Sequence, residues 1–87
     1  MTRVAAVVWE RTAFRVVQVE EGMRGYWRLG ALGAFTYEGP AQRVADELNA
    51  KNGIPPEVAR RIAAAALDGA APCLDDEWER AHARPRT

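Results

Sequence analysis

Arg3-Val4-Ala5-Ala6-Val7-Val8-Trp9, resumed after Glu10-Arg11-Thr12 by Ala13-Phe14-Arg15-Val16-Val17-Gln18-Val19-Glu20, decides how the rest of the chain must be arranged. Both runs are rich in β-branched residues and a few polar residues join them, so they read as the two arms of an antiparallel hairpin. In the first arm Val4, Ala6 and Val8 face one way while Ala5, Val7 and Trp9 face the other, which leaves both faces apolar. Two short helices are expected to cover only one face of so small a sheet. The second face then calls for the C-terminal tail, with Trp78 as its filler, or for another chain.

Working outward, Glu21-Gly22-Met23-Arg24-Gly25 is a glycine-bounded turn into Tyr26-Trp27-Arg28-Leu29, which alternates like a third strand. Gly30, Gly33 and Gly39 interrupt the next stretch, and Pro40 occupies a natural first helical position. Ala41, Val44, Ala45 and Leu48 then recur at i, i+3, i+4 and i+7, so a helix is expected from about Pro40 to Lys51. Gly53 is placed to take the left-handed conformation that ends it, with Ile54 supplying the hydrophobic contact that follows such an ending. Pro55, Pro56 and Glu57 open a second helix of about a dozen residues, which Asp68-Gly69 closes. The expected fold class is α+β: a three-stranded antiparallel sheet followed by two short helices and a C-terminal tail. Residues 1–69 would form a single domain and residues 70–87 the tail, with a short helix from Asp75 to Ala83.

Composition narrows the function classes. Twelve Lys and Arg balance twelve Asp and Glu in 87 residues, so no bulk field draws the chain to nucleic acid or anionic lipid. Cys73 is the single cysteine, which rules out an intramolecular disulfide and a cysteine zinc set. The apolar run at the N-terminus is too short for a signal peptide or a membrane span. A cytoplasmic protein is expected, with no membrane association.

No catalytic constellation is legible. His82, the single histidine, lies in the tail, where it reads as solvated rather than as part of a nucleophile scheme. Asp75, Asp76 and Glu77 read as an acidic helix start, and no spaced metal-ligand set accompanies them. Gly30-Ala31-Leu32-Gly33 and Gly22 with Gly25 are turns, lacking the setting and the lysine of a phosphate cradle. The segment Val44 to Leu67, with Arg60 and Arg61 on its second helix, has the outline of a helix-turn-helix. Glu57 at the base-contacting start and the alanines after Arg61 argue instead for plain helical packing.

The stretch Tyr26-Trp27-Arg28, Gly33-Ala34-Phe35-Thr36-Tyr37, Ala45-Asp46-Glu47-Leu48-Asn49 and Gly53-Ile54-Pro55-Pro56-Glu57 resembles a pattern of small uncharacterised proteins of phages and mobile elements, anti-CRISPR-like inhibitors among them. The resemblance covers about half the chain and carries no catalytic residues. It departs from that pattern where Gly39-Pro40 follow the threonine turn. What it implies is a binder that blocks a host machine.

The expected function is therefore a non-catalytic protein-binding module, a phage-encoded inhibitor of a host bacterial complex such as a CRISPR-Cas effector. No enzyme activity, metal or cofactor is expected. The alternatives are a small helix-turn-helix DNA-binding regulator and an oligomer-forming accessory protein, a homodimer joined through the sheet. The expected partner-binding residues are Arg24, Tyr26, Arg28 and Tyr37. If Trp27 and Leu29 bury against the helices, Tyr26 and Arg28 turn outward, and Arg and Tyr are residue types enriched in interface hot spots.

Overall fold

The computed structural model describes residues 2–75, with Ala31 described by its backbone alone. Strands β1 (Arg3–Glu10) and β2 (Ala13–Glu20) pair antiparallel in the register Val4↔Val19, Ala6↔Val17, Val7↔Val16 and Trp9↔Phe14. Arg11 and Thr12 form the two-residue loop between them, both with positive φ, 51° and 58°. That is the twist a tight hairpin requires, here adopted by two residues other than glycine at a cost of about 1 kcal/mol each.

The far side of β2 is covered by two short strands end to end, β3 (Trp27–Arg28) opposite Val17 and Gln18, and β4 (Ala34–Phe35) opposite Phe14 and Arg15. A 3-10 turn over Gly30–Leu32 joins them. Helices α1 (Glu38–Lys51) and α2 (Pro56–Ala66) complete the order, so the α+β class and the sheet order β1-β2-β3 agree with expectation. Pro40 stands at the third helical position of α1 rather than the first.

The helices do not share a face. Ala41 and Ala45 of α1 pack with Val16, and around them lie Ala5, Val7 and Phe14, the Trp9 side of the sheet. Ala59, Ile62 and Ala66 of α2 pack with Val4, Ala6, Val17 and Val19 on the opposite side. This corrects the expectation of one covered and one open face: each helix covers a face of its own. The loop Asn52–Pro55 makes it possible by carrying the chain round the outer edge of β1. Gly53 has φ 72°, its amide donates to Ala50 O at 3.0 Å, and the Ile54 amide donates to Asn49 O at 2.9 Å, a paired ending that closes α1 sharply.

Residues beyond Gly69 belong to the domain as well. The Tyr26 amide donates to Pro72 O at 3.2 Å and the Leu74 amide to Tyr26 O at 2.8 Å, which buries Cys73 in the core beside α2. The domain boundary expected at Gly69 therefore moves to at least Asp75. Trp78, His82 and nearly all of the short helix expected from Asp75 to Ala83 lie outside the described residues.

Gly25 is the pivot of this docking. Its φ is 133°, and a Cβ there would stand 3.1 Å from both Leu74 Cγ and Pro72 O. Gly25→Ala is expected to cost about 2 kcal/mol through strain and displacement of this segment, read as a lowered urea midpoint. An unchanged midpoint would show that residues 72–74 do not hold this position.

Candidate functional site

The four residues singled out from sequence do not come together as one patch. Arg24 is exposed, and its Nη2 donates to Asp68 O at 2.9 Å, tying the turn after β2 to the end of α2. Tyr26 is only 8% exposed and Arg28 is half-buried. Tyr37 is 71% exposed. The expectation that Tyr26 and Arg28 point outward is thus corrected: Arg28 pairs with Val17 and so shares the α2 side of the sheet. A sheet covered on both faces leaves β3 no outward face to offer.

What the two residues do instead is gather round Glu10. The Tyr26 hydroxyl donates to Glu10 Oε2 at 2.6 Å, the Arg28 guanidinium binds both carboxylate oxygens, and Arg15 Nε lies 3.7 Å from Oε1. Burial pushes the Glu10 carboxyl up, but hydrogen bonds from Arg28 and Tyr26, with the charges of Arg28 and Arg11, outweigh it and hold the group below its ordinary value. Burial and the hydrogen bond to Glu10 push the Tyr26 phenol well above its own. Glu10 is thereby kept ionised and Tyr26 protonated at neutral pH, a charge-assisted cluster that ties the end of β1 to β3.

The exposed apolar surface lies elsewhere. Of the large hydrophobic side chains among the described residues, Trp9 (60%), Tyr37 (71%) and Met23 are exposed. Trp9 stands on the last turn of strand before the hairpin loop, its ring edge-on to Phe14 with centroids 4.7 Å apart and planes at 67°. Because β4 runs antiparallel to β2 with Phe35 opposite Phe14, the chain leaving β4 heads toward the same end, and Tyr37 lies two residues on. Trp9 and Tyr37 therefore share the hairpin end of the sheet, next to the strained Arg11-Thr12 loop. Met23 lies at the other end.

The outer edge of β1 is the second exposed feature. Thr2 accepts from the Glu21 amide at 2.8 Å, so even-numbered residues of β1 bond inward to β2 and odd-numbered ones direct their backbone groups outward. At Ala5 the edge is closed by a side chain: Asn49 Oδ1 accepts from the Ala5 amide at 2.7 Å, and Asn49 Nδ2 donates to Ala5 O at 3.0 Å. Among the described residues nothing pairs with the outward groups of Val7 and Trp9.

Two signals could have revealed these features from sequence. Asn49 continues the Ala41, Ala45 spacing at i+8, a polar residue on the buried stripe of α1. Glu10 closes a doubly apolar strand at a position that faces inward by alternation.

Among the described residues no group of three His, Cys, Asp or Glu side chains is placed to hold a metal, and no helix is long and apolar enough to cross a membrane. Comparison with protein-family models, with curated proteins and with solved structures found no match to this chain.

Proposed function

We propose that this chain is a non-catalytic protein-binding module that meets its partner at the hairpin end of the sheet. The observation that carries the reading is that Trp9 and Tyr37, two of the three exposed large hydrophobic side chains among the described residues, both lie at that end. Rigid aromatic side chains gain much contact area for little lost rotamer freedom, which is why they anchor interfaces. Non-glycine residues with positive φ in the adjoining loop add support, since such strain persists where a shape is needed. Placing α1 and α2 on opposite faces of the sheet, where they meet only round the edge of β1, also separates them from the compact pair that helix-turn-helix docking uses.

The narrower reading, a phage-encoded inhibitor of a host bacterial complex, is supported by the resemblance of the Tyr26 to Glu57 stretch. It expects the captured partner to be a subunit of such a complex.

The test is affinity capture from bacterial lysate with the unaltered chain, Trp9→Ala and Tyr37→Ala, alongside melting curves. Trp9→Ala is expected to weaken capture by about tenfold or more, as hot-spot truncations of roughly 2 kcal/mol do, with its melting temperature little changed. Full capture by both variants would remove the hairpin end as the docking surface, and no specific capture by the unaltered chain would remove the binding-module reading.

A further inference from the structure

We propose that the outer edge of β1 from Val7 to Trp9 receives an extended peptide segment of a partner protein as an added strand. The proposal rests on the binding-module reading and specifies its mode of recognition. The chemistry that selects the occupant is the backbone itself: Val7 and Trp9 present outward N–H and C=O groups, and an extended main chain is what satisfies both at strand spacing.

The surroundings shape this edge as a receptor. A cleft of about 310 Å³ is bounded by three consecutive β1 residues, Val7, Val8 and Trp9, and by Leu67, Ala70 and Ala71 beyond α2. Tyr26, which lies over the α2 side of the sheet, lines the same cleft, so the cleft flanks the edge on that side. A smaller cleft of about 140 Å³ continues it over Ala5 to Val7, between Asp46 on α1 and Arg60 on α2. An incoming strand would place an apolar side chain against the small residues Ala70 and Ala71. The larger cleft reaches Trp9 at the end of this edge.

The same geometry argues against a second copy as the occupant. Antiparallel pairing of two β1 edges about Val7 sets Ala5 opposite Trp9 of the copy, and the Ala5 groups are already taken by Asn49. Shifting the pairing toward the loop leaves only Val7 and Trp9 to meet, far short of the roughly 1,200 Å² a stable dimer buries. A single peptide strand needs no more than this short open run together with its clefts.

The experiment pans a displayed library of random dodecapeptides against the whole chain, then follows amide exchange of the protein with the enriched peptides synthesised. Exchange at Val7 and Trp9 is expected to slow by about tenfold or more on binding, with Ala5, already held by Asn49, as the internal reference. Val7→Pro removes an outward donor without touching the β1–β2 ladder and is expected to weaken binding by about tenfold. Should that variant fold poorly, N-methylation of alternate peptide residues tests the same hydrogen bonds from the other side. Failure to enrich any peptide overturns the proposal, as do bound peptides that leave Val7 and Trp9 exchange unchanged. Slow exchange in the peptide-free protein that deepens with concentration, with a dimer in sedimentation, would assign the edge to a second copy instead. If Val7→Pro still captures the lysate partner that Trp9→Ala loses, the edge is excluded while the binding-module reading stands.

Discussion

Glu10→Ala is expected to cost about 3 kcal/mol, a large part of the roughly 4–13 kcal/mol that holds a domain of this length together. The carboxylate is the shared partner of Tyr26, Arg28 and Arg15, and its side chain is 12% exposed against 15% for that of Arg28. Its removal takes the shared carboxylate away from two guanidinium groups drawn partly out of water, and breaking such a cluster on one side costs more than lacking it altogether. Glu10→Gln retains a hydrogen-bonding end and is expected to cost less.

The acid limb of stability carries the same signature. The folded state holds the Glu10 carboxyl below its ordinary value of 4.5, so the unfolded chain takes up its proton first as pH falls. The stabilisation is complete above that value and drains away below it, through the lowered folded value. Urea midpoints from pH 7 to pH 3 should fall less steeply for Glu10→Gln than for the unaltered chain. Equal midpoints for Glu10→Ala and the unaltered chain at pH 7 would show that the cluster contributes nothing to stability.

The second large effect is expected at Asn49, which is 4% exposed and hydrogen-bonds both backbone groups of Ala5. Asn49→Ala leaves a part-buried N–H and C=O of Ala5 without their partner and is expected to cost about 2 kcal/mol, lowering the melting temperature by roughly 8–16 °C. Asn49→Asp is the sharper variant. One carboxylate oxygen still accepts from the Ala5 amide, but the other is turned against the Ala5 carbonyl, a contact an ionised group cannot make favourable. Burial raises the folded value of that carboxyl, so its penalty should shrink as pH falls and the group becomes a donor again. A melting temperature for Asn49→Asp equal to the unaltered protein at pH 7 would contradict the orientation of the amide.

Much of this architecture was legible one segment at a time. The β-branched runs at 3–9 and 13–20, the glycine turn after Glu20 and the ending of α1 at Gly53 and Ile54 all fall where local periodicity and turn chemistry place them, because those signals depend only on near neighbours. The candidate site was less legible. Tyr37 was recognised and is exposed, whereas Trp9 was counted as a face residue because a strand end and a strand middle read alike.

By itself, then, the sequence determined the hairpin, the third strand, the two helices, their order, and the two-sided apolar character of β1, whereas the short fourth strand Ala34–Phe35 was not among the expected elements. Tertiary structure decided which face each helix covers, and with that where the polar residues go. The loop Asn52–Pro55 passes round the edge of β1, so α1 and α2 take opposite faces; Tyr26 and Arg28 turn inward to Glu10, and Asn49 meets the Ala5 backbone 44 residues away. The physical reason is range: alternation along a strand says that a side chain lies on one of two faces, and only packing against distant segments says which face is inside.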